Sequence, residues 1–402
     1  MTKRKEGKDN IMKHDFDKVT KRIQSEKWCE REKIFGTDDV IPMWVADMDF
    51  ESPKPVIDAI VKRAKHGIFG YTYMPSSYYQ SIIQWFKNKY DWEIQKNWIN
   101  YSPGVVPALS FITLAFSNPG DKIILQSPVY RRFFEVINQN GRQVLNSPLK
   151  LKDDRYIIDF DDFEKKASDP KVKLYFLCNP HNPVGRVWTR EELIKLGEIC
   201  IKNNILIVSD EIHSDFVYKG YKHTVFTSIS EEFAQNSIIL NAPSKTFNLA
   251  GLQTSIVIIP NQKYYNIYNN MVSALKLTRG NVFGLVALEA SYEFGEEWMH
   301  QLLKYLEGNV NYLIKFFEEK VPKIKVIKPE ATYLLWLDCR NLGLNDLELR
   351  EFMIKKAKVG FLEGYQFGQG GEGFQRINIG CPRVILKEAL ERIEKAVNEN
   401  FA

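Results

Sequence analysis

Cysteine and histidine are scarce in this chain, and long apolar runs are missing. The 402 residues include five cysteines and six histidines. Cys29, Cys178, Cys200, Cys339 and Cys381 are scattered without CxxC spacing. That excludes a disulfide framework and a zinc site of the usual spacing, and it predicts reduced thiols in a cytoplasm. No apolar stretch approaches the length of a membrane span. The start, MTKRKEGKDNIMKHDF, is basic but has no apolar core, so it reads as a solvated tail and not as a secretory signal. Net charge is only +5, with no long Lys/Arg stripe, so neither nucleic acid nor a membrane is expected as partner. Internal repeats and low-complexity tracts are also missing.

What is present belongs to a folded globular protein. Apolar residues make up 44% of the chain and aromatics 13%, ample for a core. The length predicts a large domain plus a smaller one. From about residue 100 to 290, short apolar runs alternate with helix-period segments. KIILQS (122–127), KLYFLC (173–178), NILIVSD (204–210), SIILNA (237–242) and TSIVIIP (254–260) read as strands buried on both faces. Between two of them, Thr189 and Glu192 form a T-x-x-E capping box before a helical pattern. Strand, helix, strand in this order predicts right-handed crossovers and a mostly parallel sheet. The remainder changes character. A long amphipathic helix over 296–320, YLLWLDCR, a helix around 345–357, FQRINIG and a closing helix from about Leu386 predict a smaller α+β domain. The expected division is an arm over 1–50 packed on the small domain, a large domain over 51–293 and a small domain over 294–402.

Ligands of open parallel sheets bind at the carboxyl ends of the strands. Asn179 follows one predicted strand, Asp210 and Glu211 end another, and Ser244-Lys245 follow a third. A lysine amine condenses with an aldehyde. In pyridoxal phosphate that aldehyde sits on a ring that acts as an electron sink. The ring nitrogen then needs a carboxylate, for which Asp210 is placed. Asn182 in NPHNPVG can donate near the ring hydroxyl. SPGVVPALSFITLAF offers Gly104 for a turn, with Val105 and Val106 as amide donors to a phosphate at a helix start. Tyr130 in SPVYRRFF can lie flat on the ring. Taken singly, each has a bland reading: a surface lysine, a turn aspartate, a routine strand-to-helix turn, a core tyrosine. Their joint occurrence in this order favours the chemical reading.

These residues carry a resemblance. IPMWVADMDF, GIFGYTYMP, NPHNPVGRVWTREEL, SDEIHSDF, APSKTFNLAGLQTS and RINIGCPR resemble the fold-type I, pyridoxal-phosphate-dependent enzymes of the aminotransferase class I/II superfamily. Within it they resemble the cystathionine β-lyase/carbon–sulfur lyase branch, which includes the maltose-regulon modulator. The resemblance spans roughly residues 35–395. It implies Lys245 as the lysine that binds the cofactor and moves the Cα proton, and Asp210 as partner of the pyridine nitrogen. It implies Asn182 near the ring hydroxyl, Tyr130 as the stacking aromatic, and Arg376 as the clamp on the substrate carboxylate, with Arg383 next in line. Tyr71 resembles a tyrosine that reaches the phosphate of a neighbouring subunit, which implies a homodimer with shared sites. Ser244 is expected to join Val105 and Val106 at the phosphate.

Three positions depart from ordinary aminotransferases. Ala242 and Gln253 stand where a serine and an arginine often flank the phosphate, and His213 stands where a tyrosine is common. His213 is either a donor to the ring oxygen or a satisfied core residue. The departures favour β-elimination of L-cystathionine or related cysteine S-conjugates to thiol, pyruvate and ammonia. The alternatives are an amino-acid aminotransferase and a protein whose main role is regulatory contact with another protein. The glycine-rich FLEGYQFGQGGEGF is expected to move over the substrate.

Overall fold

The computed structural model describes residues 13–401, so the first twelve residues of the expected tail lie outside the described residues. Its centre is a seven-stranded sheet: β1 Ile99–Ser102, β2 Lys122–Leu125, β3 Gln143–Asn146, β4 Val172–Cys178, β5 Leu206–Asp210, β6 Ser237–Asn241 and β7 Ser255–Ile258. The spatial order is β1-β7-β6-β5-β4-β2-β3. From β6 to β3 every pair is parallel. The central strands are buried along their length, as runs such as LIVSD and SIILN require when helices cover both faces.

The five expected strands are all found; four are shortened by one to three residues at their ends, and Val172–Cys178 begins one residue earlier than expected. The sheet is mostly parallel, as expected, and two features at its edge were not specified by the sequence pattern. β7 runs antiparallel to both neighbours, and β1, a short INYS segment, completes the edge. A fully buried apolar run looks the same whichever way it is traversed, so periodicity carries no direction.

Local chemistry sets the helices. Thr189 and Glu192 make the reciprocal capping box and open Arg190–Lys202. Glu296 and Glu297 sit in the first turn of Glu296–Lys320, where negative charge suits the helix dipole. The closing helix, Arg383–Asn400, begins three residues before the predicted Leu386, directly after Pro382. A four-stranded sheet gathers Lys325–Ile327, Leu334–Asp338, Phe374–Asn378 and Leu362–Glu363 in that order, all antiparallel. The segment before residue 50 lies against this part of the chain. Ile41–Pro42 pairs in parallel with Val359–Gly360, and the Asn378 side chain donates to the Val45 and Asp47 carbonyls.

The glycine-rich segment is tied to the loop after β2 by two hydrogen bonds. Val129 N donates to Phe367 O at 2.9 Å, and Ser127 Oγ donates to Gln369 O at 2.9 Å. Glycine serves close approach here: a Cβ on Gly364 would stand 2.0 Å from the Gly371 carbonyl oxygen.

Candidate active site

Register brings the site together. Cys178, Asp210 and Leu240 are successive cross-strand partners on β4, β5 and β6, so the carboxyl ends of these strands are level. Lys245 follows β6 in a short helical turn, Pro243–Thr246. On the other side, Ser102 at the end of β1 pairs with Ser255 at the start of antiparallel β7. Pro103–Val106 and Gln253–Thr254 therefore emerge at the same sheet edge. Between these groups lies a cavity of about 220 Å³. Lys245, Asp210, Asn182, Tyr130 and His213 line it. Gly104, Val105, Val106 and Ser244 line it as well, and Ala46 closes it from the N-terminal segment.

Burial sets the electrostatics. The Lys245 amine is pulled down to about 8, first by desolvation, with Arg376 adding to the fall and Asp47 and Asp210 opposing it. Its Nζ donates to the Ala46 carbonyl at 2.7 Å. Desolvation pushes the Asp210 carboxyl up to about 7, against the Ile212 amide and Lys245. A cationic ring nitrogen opposite Asp210 would return it to the ionised form. His213 is lowered to about 3 by burial, then by Lys245 and Arg376, so its ring is neutral at pH 7. Burial also raises the Tyr130 phenol.

Arg376 does not line the cavity wall, but it is bound to a residue that does. Its Nη1 donates to Asn182 Oδ1 at 3.2 Å and its Nη2 to Trp44 O at 2.7 Å. Its Nε is buried without a partner, as is His213 Nδ1. The helix Val105–Phe116 starts at Gly104 with no side chain capping it. An uncapped helix start, unmet buried donors, a desolvated lysine and a desolvated carboxylate fit a flat cofactor with a phosphate at one end and a substrate carboxylate beside it.

Several expected residues lie elsewhere. Tyr71 is 97% exposed, with the Arg279 guanidinium 5.1 Å from its ring centroid, and it lies outside the cavity of its own chain. Asn179 turns to the Thr224 carbonyl. Glu211 is held in a buried network by Ser209, His223 and the Phe226 amide. Arg383 Nε donates to Asn309 Oδ1, and Arg383 has no contact with a cavity residue comparable to that of Arg376 with Asn182. Sequence reasoning gave no role to Ala46 and Asp47. IPMWVADMDF stood out as a motif, but its contact with Lys245 joins residues 199 positions apart and leaves no local signal.

The family model for aminotransferase class I and II matches residues 38–393. The chain belongs to this family. The class I and II match is supported by close relatives. Cystathionine beta-lyase PatB of Bacillus subtilis (strain 168) is 45% identical over 386 residues, covering 96% of this chain and all of the relative. The crystal structure of cystalysin from Treponema denticola, with a pyridoxal 5'-phosphate cofactor, is 38% identical with a TM-score of 0.94, covering 96% of this chain and 100% of that one. The pyridoxal-phosphate-bound C-S lyase of Staphylococcus hominis is 34% identical with a TM-score of 0.90, covering 96% and 98%. The fold is thus the fold-type I architecture of this aminotransferase family, with its mostly parallel central sheet.

Proposed function

We propose that this chain is a pyridoxal-phosphate-dependent carbon–sulfur β-lyase acting on L-cystathionine or related cysteine S-conjugates. The observation that carries the reading is the convergence, at one sheet edge, of a desolvated lysine and a buried carboxylate, with an arginine that has an unmet donor bound to the cavity residue Asn182. Relatives named as cystathionine beta-lyase and C-S lyase supply the reaction class.

Each residue has a defined task in this reading. Bound pyridoxal phosphate supplies the electron sink and the site of attachment. Lys245 holds the cofactor and takes the Cα proton of the substrate. Its lowered pKa keeps a useful fraction of the amine neutral near pH 7, as a base requires. Asp210 holds a proton on the ring nitrogen. Arg376, fixed by Asn182 and Trp44, turns its guanidinium to the substrate carboxylate. Tyr130 packs on the ring face, and the buried neutral His213 offers Nδ1 to a ring oxygen. The Val105 and Val106 amides with Ser244 receive the phosphate, with Tyr71 contributed by a partner subunit. The proton on Lys245 is then available to the thiolate that leaves Cβ. Water completes the balance: one thioether and one water yield thiol, pyruvate and ammonium.

The proposal extends to a cytoplasmic homodimer serving methionine-related amino-acid metabolism, with the arm, large-domain and small-domain division at about residues 50 and 293. All five cysteines are free thiols, and among the described residues no helix is long and apolar enough to cross a membrane. Ile68, Phe69, Tyr71 and Tyr73 present an exposed apolar stretch suited to a second copy.

The test is a single incubation of purified protein with pyridoxal phosphate and L-cystathionine, without any keto acid. Equal pyruvate and free thiol are expected, together with the visible absorbance of a lysine-bound cofactor. Absorbance without either product sinks the lyase reading and leaves transamination or regulation. Under Lys245→Ala, the lysine-bound band is expected to vanish. A regulatory effect that survives this substitution would mark a separate protein-binding role.

A further inference from the structure

The backbone carbonyls of residues 44–47 each meet a side chain from far along the chain. Trp44 O accepts from Arg376 Nη2 at 2.7 Å, and Val45 O and Asp47 O accept from the Asn378 amide. Ala46 O accepts from Lys245 Nζ at 2.7 Å and also from the Tyr333 hydroxyl at 3.1 Å. One backbone oxygen on the cavity wall thus serves both the lysine and a phenol to which the tasks above give no part.

Tyr333 is fixed for this contact. It directly precedes Leu334–Asp338 and is fully buried. Its ring meets Phe216 edge-on with centroids 4.9 Å apart, and it meets the cavity residue His213 at 6.0 Å. Burial pushes the phenol well above its usual range, so the hydroxyl keeps its proton and stays a donor at pH 7. A carbonyl oxygen offers two lone pairs. The phenol takes one of them, which leaves the oxygen a poorer acceptor for an ammonium group. The hydroxyl also turns its positive end to the shared oxygen, beside the amine. Both effects act against charge on Lys245. The charged groups around the amine are Asp47 and Glu26 from the N-terminal segment, Asp210 from β5 and Arg376 from Phe374–Asn378. Removing the phenol hydroxyl alters none of them.

We propose that Tyr333 is a positioning residue for the catalytic base: it holds the Ala46 carbonyl, shares it with Lys245, and so places the amine without fastening it. The inference rests on the lyase reading, in which Lys245 takes a proton from the substrate. An amine fastened as ammonium has no lone pair for that proton. A merely structural phenol would contribute stability and leave the titration of Lys245 alone.

Tyr333→Phe removes only the hydroxyl. Tyr218→Phe is the matched control: the buried Tyr218 hydroxyl donates to Thr332 O at 2.6 Å, and Tyr218 lies outside the cavity wall. In the full-length apoprotein, labelling of Lys245 by an amine-reactive reagent is followed against pH by peptide mass spectrometry. The midpoint is expected to rise by about half a pH unit in Tyr333→Phe, the scale of one neutral hydrogen bond, and to stay at the wild-type value in Tyr218→Phe. Such a rise reduces the neutral amine about threefold at pH 7. Thiol release from L-cystathionine by the loaded enzyme should then fall about threefold in kcat at pH 7, with KM unchanged, and largely recover by about pH 9. A Tyr333→Phe midpoint equal to or below that of wild type, or an equal rise in both variants, overturns the shared carbonyl. An unchanged kcat at pH 7 overturns the positioning role. If wild type releases no thiol from L-cystathionine, the lyase reading fails instead, and the labelling midpoints alone decide whether Tyr333 and Lys245 share Ala46.

Discussion

At the scale of single residues, the site depends on charges that water does not reach. Lys245 is desolvated, and its amine titrates at about 8. In the apoprotein, labelling of Lys245 by an amine-reactive reagent should therefore rise from pH 7 to 9, with its midpoint near 8, because only the neutral amine reacts. Peptide mass spectrometry reads this without any turnover, and a midpoint near 10 would remove the desolvation argument. The acidic group that supports the Lys245 charge most strongly is Asp47, ahead of Asp210. Asp47 is held by Arg22 Nη2 at 2.7 Å, while its other oxygen is buried without a partner. Asp47→Asn removes a charge that raises the lysine, so the labelling midpoint should move below 8. A midpoint that stays put or rises would show that Asp47 is uncoupled from Lys245. Arg376 supports a third prediction. Its Nη groups are committed to Asn182 and Trp44, so Lys in its place keeps the charge and loses the fork. Arg376→Lys is expected to raise KM for L-cystathionine about tenfold or more, the scale of a lost charged hydrogen bond, and an unchanged KM would rule out the clamp.

At the scale of elements, much of the frame was legible and the ties between its parts were not. The helix 296–320 was readable to the residue because its apolar stripe runs unbroken from an acidic first turn to Phe317. Asp210 and Lys245 were found because parallel strands place their carboxyl ends on one edge. Arg376, by contrast, was identified through a resemblance, since an arginine within a buried strand has no pattern of its own. Direction was lost where burial was complete, as in β7. The strongest tie joins elements far apart in sequence. Glu330 accepts from Arg186 Nε at 3.1 Å, from Arg155 Nε at 2.9 Å and from the Val187 amide at 2.8 Å. This clips the turn after β4 to the segment leading into Leu334–Asp338. Arg186 and Glu330 are both almost fully buried, and without the Glu330 charge Arg186 keeps only Glu192, 2.9 Å from its Nη2, as a carboxylate partner. Glu330→Gln is expected to cost about 3 kcal/mol, the lower end for a broken buried pair. The urea midpoint should fall accordingly, and an unchanged midpoint would mean that Glu192 alone satisfies Arg186.

At the scale of the whole molecule, the question is whether one chain contains a complete site. The cavity has a lysine, an acid and a helix start, yet Tyr71, the expected phosphate ligand, stands in solvent. It is flanked by exposed Ile68, Phe69 and Tyr73, and Arg279 lies over its ring. In a twofold dimer, a patch of this kind contacts the second copy and can deliver a side chain across the axis. Complementation tests this directly. Lys245→Ala and Tyr71→Ala proteins are each expected to be nearly inactive. In a mixed dimer, one site joins the intact lysine of one subunit to the intact tyrosine of the other. Random exchange makes half of the dimers mixed, with one good site in two, so activity should return to about a quarter of wild type under this symmetry. If Tyr71 instead served its own chain, each mixed dimer would hold one site without the lysine and one without the tyrosine. Mixing would then restore nothing. The same titration fixes the assembly, because recovered activity must rise with subunit exchange and stop when the subunits are cross-linked before mixing.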